Sequence, residues 1–534
     1  MKRSSLETRS CFSIILFSLS VLVYSQYQNI NTDDSGYPEN CTTIMVGRLA
    51  SSDGSVMTSH SCDGNYRTWL EIVPHSKFEQ NVMHPVLWGT LHTEEAWDMT
   101  KVTKKGEIPE VAETFAYLNT AYPCLNEKQV AIGETTIYGK GELRNEEGLF
   151  LIEELEKIGL QRCSSAREAI KLIGKLAEEY GYGDMAECIS IADPKEVWQL
   201  EISGSGKGKP SAIWCAERIP DDQVGICANI PRISIIDFKS PDYFMYSTDL
   251  QNVAKKLGYW DGKEPLKFWK VIGSGKPFAI REFYVLSSLA PSLNLSFDAE
   301  ELPFSVKPEK KLSPGDVMKF FRETYEGTKW DMTRNLTVTV KSNTGEEKVK
   351  SPVINNWMSN DLRTLLNELK PGTVDRQRTI AIAGCSYSHV IQCRSWLPDE
   401  VGAIAWFSFD NPAESPRIPI FSGVLSLPPS FSICGQQRYR TDAAIWSFRE
   451  ANRLATVNWS RGRALIETTV KEFEDKAFEE LPIIDKRVLQ LVKAGKNDEA
   501  KKYVTSYTNS FADAAMKRWQ DLKVTLWGMF GRGF

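Results

Sequence analysis

Histidine is scarce in this chain, five among 534 residues, and no His-Glu-X-X-His or other tight cluster of ligand-type side chains occurs, so metal-dependent hydrolysis has no motif to rest on. The same scarcity, together with the absence of local active-site signatures, disfavours a conventional cysteine protease with a distant histidine base. Positive charge is not in excess. Sixty-four Lys and Arg against 69 Asp and Glu leave a net charge of −5, which excludes the basic footprint of a nucleic-acid binder and a polybasic membrane patch. The eleven cysteines include no Cys-X-X-Cys pair, so neither a zinc knuckle nor a redox motif is indicated. No internal repeat or low-complexity tract is present, and one apolar run alone, Cys11 to Val23, stands out.

That run follows Lys2, Arg3 and Arg9 and ends at the small residue Ser25, the order of a signal peptide over residues 1–25. At about 13 residues it is short of the roughly 20 that span a bilayer, so cleavage near Ser25 is expected over a permanent anchor. Gln26 to Asn40, rich in Asn, Asp, Ser and Gly, reads as a removable pro-segment. The expected location is the secretory pathway, secreted or in a lysosome-like lumen, or periplasmic in a bacterium, with no stable membrane insertion after cleavage. Glycosylation sequons at Asn294, Asn335 and Asn458, and at Asn40 before the proposed cut, are compatible with that route. A few disulfides are expected in an oxidising compartment, with connectivity left open.

Cys41 would then be the first residue of the mature chain of about 494 residues. A cysteine thiol with its ordinary pKa of about 8.5 is mostly protonated at neutral pH and needs a base beside it. A free α-amino group, with a reference pKa of about 7.7 to 8.0, sits on the same residue. One cut before Cys41 therefore creates nucleophile and base together. The alternative is a buried structural or disulfide cysteine. Cys41 opens Cys-Thr-Thr-Ile-Met-Val-Gly, which runs through the turn Ser52-Asp53-Gly54-Ser55 into a second strand ending at His60-Ser61-Cys62-Asp63.

Periodicity gives strands over 42–46, 56–59, 69–73, 85–88 and 129–138, helices over 148–158 and 165–180, then strands over 187–192, 196–203, 211–218 and 225–229. Strands, helices, then strands imply stacked layers of an α+β protein. Residues 240–372 are loop-rich and read as an insertion lobe, with one helix over 313–325 capped by Ser313. Strands return over 378–391 and 402–409. Residues 438–534 form a helical C-terminal subregion, leaving a main domain over 41–437.

These pieces resemble the dipeptidase A type of N-terminal-nucleophile cysteine hydrolases, a family that includes the secernins. The resemblance lies in Cys-Thr-Thr-Ile-Met-Val-Gly-Arg with Ser-Asp-Gly-Ser, Ala-Ile-Gly-Glu-Thr-Thr at 131–136, Ile-Ala-Asp-Pro-Lys-Glu-Val-Trp from 191 and Ala-Asn-Ile-Pro-Arg-Ile from 228. It continues in Leu-Ala-Pro-Ser-Leu from 289 and Cys-Ser-Tyr-Ser-His-Val-Ile-Gln-Cys-Arg-Ser-Trp-Leu-Pro from 385. It implies a four-layer αββα sandwich and hydrolysis of dipeptides through an acyl-enzyme on Cys41; no cofactor is expected. From the related bile-salt and penicillin V acylases it implies that Asp63 holds the α-ammonium, that Asn229 supplies an oxyanion-hole amide and that Arg281 is the second site arginine. Each has a plainer alternative: a turn or surface Asp, a turn Asn before Pro231, a surface ion pair. Those acylases carry an arginine three residues before the Asp; here that position is His60, which cannot copy a charged fork. His60 and Glu134 are candidate substrate-binding residues, Glu134 toward a substrate ammonium group; the plainer alternatives are a satisfied structural histidine and a structural hydrogen-bond network. His389 reads as a solvent-facing strand residue, with reach to the substrate as the alternative.

An amidase acting on N-acyl amides would use the same machinery, and a non-catalytic secreted protein could keep the same fold. A dipeptidase needs charged groups converging on the substrate's amine and carboxylate; an acylase needs an apolar slot. The sequence leaves a homo-oligomer open.

Overall fold

A computed structural model describes residues 40–343 and 345–531; the signal peptide and all of the pro-segment but Asn40 lie outside the described residues. Two antiparallel sheets dominate. The first has seven strands, in the order Ser305–Val306, Val224–Cys227, Asn40–Val46, Val56–Asp63, Cys385–Cys393, Ala403–Phe409 and Ile418–Phe421. The second has eight, in the order Phe244–Tyr246, Ala212–Arg218, Val197–Gly204, Ala186–Ala192, Ala131–Ile137, Leu125–Asn126, Tyr117–Asn119 and Glu71–Val73.

Strands Asn40–Val46 and Val56–Asp63 form the hairpin read from the sequence. Its turn is held by Asp53, whose Oδ1 accepts from the Ser55 backbone N–H at 3.0 Å and from the Ser51 and Ser55 hydroxyls at 2.6 Å, while Gly54 takes a left-handed φ of 84°. Every residue of both strands is buried, because one face of the sheet meets the second sheet and the other meets helices. Thr43 Oγ1 donates to Glu134 O at 3.2 Å across the sheet interface, and the Thr58 and Ser190 hydroxyls hydrogen-bond there too.

The sheets approach closely at Gly133. A β-carbon there would lie 2.2 Å from Ser59 O and 2.9 Å from Ser190 Oγ, so the absent side chain is what lets the backbones approach. Gly133→Ala is expected to destabilise the fold by about 3 kcal/mol, measured by urea unfolding, because the nearest obstacle is backbone and cannot swing aside.

Helices Ile152–Arg162 and Ala166–Tyr180 cover the second sheet, the latter capped by Ser165, whose side chain accepts from Glu168 N–H. Gly174 lets that helix lie on the Trp214 ring. The expected insertion lobe contains helix Ile280–Leu289, which packs on strand Val224–Cys227, and the edge strand Ser305–Val306. The helix capped by Ser313 runs Pro314–Phe320 and ends before the expected 325. The strand expected from 378 begins at Cys385, and Arg378, in the irregular segment before it, donates to Asp63. Helices Ala444–Val457, Trp459–Lys493 and Asn497–Met529 pack together, with Trp519 buried among them and its Nε1–H donating to Asn452 Oδ1 at 3.2 Å. Buried Asp410 ties them to the first sheet by accepting from Arg449 at 2.6 Å and Asn452 at 3.0 Å.

Two expectations are corrected. All ten cysteines among the described residues are free and buried, so the expected disulfides are absent there. His389 is fully buried rather than solvent-facing, because its strand is covered on both faces and its ring sits 5.5 Å from that of His60. No helix of the described residues is long and apolar enough to cross a membrane.

Candidate active site

Cys41 is gripped at three atoms by side chains from three distant parts of the chain. Its backbone nitrogen donates to Asn229 Oδ1 at 3.1 Å, its carbonyl accepts from Arg281 Nη1 at 2.6 Å, and its Sγ lies 3.3 Å from Glu134 Oε2. The first sheet explains why: the N–H and C=O of Cys41 point away from Val56–Asp63 toward the side of Val224–Cys227, where that strand has just ended. Asn229 follows that end in a left-handed conformation, φ 66°, which asparagine tolerates better than most residues. One Nδ2 proton donates to Thr136 O at 2.7 Å, so the amide is fixed with its oxygen toward Cys41. The other proton is the one an oxyanion role would use.

Arg281 lies one residue into helix Ile280–Leu289 and makes a fork. Nη1 reaches Cys41 O and Thr42 Oγ1, at 2.6 and 3.0 Å; Nη2 reaches Ala228 O and Asn229 Oδ1, at 3.0 and 2.8 Å. The neighbouring Glu282 anchors the helix start, accepting from Ala228 N–H and from Ala279 N–H, both at 3.0 Å. Arg281 is 5% exposed, which rules out the plain surface ion pair.

Asp63 pairs in register with Asn40, beside the junction that a cut before Cys41 would open. Its Oδ2 accepts from Arg378 Nη2 at 2.7 Å and from Ser61 Oγ at 3.1 Å, whereas Oδ1 is buried without a hydrogen-bond partner. A buried acceptor left over is costly. Sequence reading missed Arg378, which carries no local motif.

His60 is fully buried, with its Nδ1 2.6 Å from the Glu134 carbonyl. The Glu134 N–H also points at Nδ1, at 3.2 Å, so one backbone contact suits a protonated Nδ1 and the other a bare one, while Nε2 is without a partner. Burial lowers its pKa to about 4, so the imidazole is neutral at physiological pH. Tyr122, also missed, packs its ring 5.6 Å from His60. The five other residues singled out from the sequence thus converge on Cys41, Asp63 through its place beside the junction.

Electrostatics oppose ionisation of the thiol in this state. Burial first, and then the Glu134 carboxylate, Cys62 and Asp63, push the Cys41 thiol well above its ordinary range. Glu134 itself is pushed up to about 7 by burial, and Glu187 beside it is raised by burial and by Glu134. Cys41 Sγ, a His60 nitrogen and a Glu134 carboxylate oxygen lie within 4.8 Å of one another. Such a donor set suits a divalent ion of the zinc type, but a thiolate held by the metal would no longer be a free nucleophile.

The arrangement offers a thiol, a nitrogen on the same residue held in place, an amide donor and a buried carboxyl, which together suit acyl transfer to sulfur. Comparison with known proteins agrees with a hydrolytic site. The chain is 27% identical over 403 residues to a "Probable dipeptidase" of Latilactobacillus sakei, covering 72% of this chain and 74% of that protein. It is 24% identical over 414 residues to a "Probable dipeptidase" of Salmonella dublin, covering 73% and 82%. With the "Dipeptidase A" of Lactobacillus helveticus it shares 22% over 451 residues, covering 78% and 82%. The model of peptidase family C69 matches residues 40–472, from the residue before Cys41 through both sheets and into the C-terminal helices, and the chain belongs to that family.

Proposed function

We propose that the protein is a dipeptidase whose nucleophile is the thiol of Cys41, made N-terminal by removal of residues 1–40 on the secretory route, and that its two sheets and flanking helices form the αββα sandwich of N-terminal-nucleophile hydrolases. The observation that carries this reading is the hold of Asn229 Oδ1 on the Cys41 nitrogen at 3.1 Å. In the uncut chain that nitrogen is a peptide N–H. After the cut the same contact holds an amine, with Asp63 Oδ1 as a second acceptor for its protons.

In the reaction the amine takes the thiol proton, and the thiolate attacks the dipeptide carbonyl. The remaining Nδ2 proton of Asn229 faces the oxyanion, a contribution of typically a few kcal/mol for one such donor. The ammonium returns its proton to the leaving amino acid, and water, activated by the freed amine, releases the acyl group. Small peptides are the partners this chemistry needs. The relatives' names support dipeptides as the substrate.

The test is N-terminal sequencing of the secreted protein, followed by hydrolysis of alanyl-alanine. A chain beginning at Cys41 that cleaves the dipeptide is expected. A chain beginning near Gln26 removes the amine and with it the mechanism; a mature chain that cleaves N-acyl amides and spares dipeptides makes the protein an amidase.

A further inference from the structure

Three ligand-type side chains meet at the nucleophile. Cys41 Sγ, a His60 nitrogen and a Glu134 carboxylate oxygen lie within 4.8 Å of one another, the one such group among the described residues. Zinc bonds of about 2.3 Å to sulfur and about 2.1 Å to oxygen, opened to a tetrahedral angle, hold those two donors about 3.6 Å apart. Sγ and Glu134 Oε2 already stand 3.3 Å apart, so they need to part by only a few tenths of an ångström to take an ion. All three side chains are fully buried, and His60 Nε2 has no hydrogen-bond partner. A buried polar atom left over in this way calls for an explanation.

Three donors are one short of the four that a closed zinc site uses. Maturation supplies the fourth. While residue 40 is attached, the nitrogen of Cys41 is an amide whose lone pair is delocalised into the peptide bond. Once the chain begins at Cys41, that nitrogen is an amine on the same residue as the thiol, and the two close a five-membered chelate ring on one ion. The closeness that lets the amine take the thiol proton is the closeness a chelate needs. Loss of Asn40, buried and paired in register with Asp63, also bares this end of the strand. A coordinated amine keeps two N–H bonds, which match Asn229 Oδ1, 3.1 Å from this nitrogen, and the unpartnered Asp63 Oδ1. Acceptors placed outside the ligand shell in this way orient a donor and strengthen it.

We propose that cleavage before Cys41 creates, together with the catalyst, an inhibitory zinc site made of the Cys41 thiolate and α-amine, a His60 nitrogen and the Glu134 carboxylate. The proposal rests on the reading of Cys41 as an N-terminal nucleophile. Coordination replaces the thiol proton and occupies the amine lone pair, so one ion removes nucleophile and base together. A site with four protein donors keeps no open position for substrate or an activated water, which makes the ion a block and not a cofactor. Magnesium and calcium, which take oxygen ligands, do not suit this donor set. Zinc therefore silences the mature enzyme reversibly, until free zinc falls or a stronger chelator removes it.

The experiment compares the mature chain with one a single residue longer, beginning at Asn40, both stripped of metal with EDTA. Zinc affinity is measured by competition with a chromophoric chelator, cobalt(II) serves as a spectroscopic stand-in, and hydrolysis of alanyl-alanine is followed against free zinc with magnesium as the control. The mature chain is expected to bind equimolar zinc and to give a thiolate-to-cobalt charge-transfer band with the intense visible bands of a tetrahedral site. Its kcat/KM should fall about 100-fold or more at saturating zinc, as on loss of a nucleophile, with recovery in EDTA and no effect of magnesium. The longer chain, His60→Asn and Glu134→Gln each lack one donor and should bind zinc about 100-fold more weakly, the upper end of what loss of a mere supporting contact costs. The longer chain carries no substitution, so it reads the amine even where a buried variant fails to fold. Equal zinc affinity in the two chains, a cobalt complex without the sulfur band, or activity that rises on adding zinc overturns the proposal. Cleavage of alanyl-alanine that zinc leaves untouched also overturns it and spares the dipeptidase reading; zinc binding as expected in a mature chain that never cleaves the dipeptide supports the site and overturns that reading.

Discussion

Cys41→Ala, prepared so that an added protease exposes residue 41 as the N-terminus, is expected to lower kcat/KM for a dipeptide by about 10⁴-fold or more, the scale seen when a nucleophile is removed. The fold should survive. Losing one sulfur from a packed strand is a small deletion, on the order of 1 kcal/mol, and Asn229 and Arg281 hold the backbone atoms of residue 41, which alanine retains. A thermal midpoint within a few degrees of wild type, alongside lost turnover, would separate chemistry from folding. Activity retained within tenfold of wild type would mean that the acyl group never resides on this sulfur.

Arg281→Met should affect stability and rate together. The substitution keeps length and flexibility but removes the donors from four acceptors: Cys41 O, Thr42 Oγ1, Ala228 O and Asn229 Oδ1. Stranding a buried acceptor costs about 1–3 kcal/mol. Partial relaxation makes about 3–5 kcal/mol a reasonable total for the set, read as a lower urea midpoint. In the surviving folded fraction kcat/KM should fall about 100-fold or more, the order expected when a reacting group drifts by an ångström. Arg281→Lys keeps the charge without the planar fork and should recover stability better than rate. A stability loss with unaltered kcat/KM in the folded fraction would reduce Arg281 to a structural clamp.

The parts of this site that the sequence disclosed were those tied to position along the chain. Cys41 follows the expected leader, Asp63 ends the hairpin partner, and Asn229 lies two residues before a proline where a strand stops. Arg281 was the least distinctive of the candidates because Arg-Glu-Phe-Tyr says nothing about where its helix lies; its role comes from Glu282 anchoring that helix beside Ala228. Arg378 was invisible for the same reason, its partner Asp63 lying 315 residues away. His389 was misread because alternation along a strand cannot reveal that both faces of the sheet are covered. The longer strands and the capped helices announced themselves by period. Two-residue strands such as Leu125–Asn126 and Ser305–Val306 carry too few residues to have one.

The grip of Arg281 on the carbonyl of Cys41 joins residues 240 positions apart. A growing chain contains the cysteine long before the arginine exists. The strand that flanks Val56–Asp63 on its other edge, Cys385–Cys393, comes later still. Through most of its synthesis the protein therefore carries its sulfur on a hairpin with nothing to aim it. The contacts that position residue 41 are complete only when most of the polypeptide has been made.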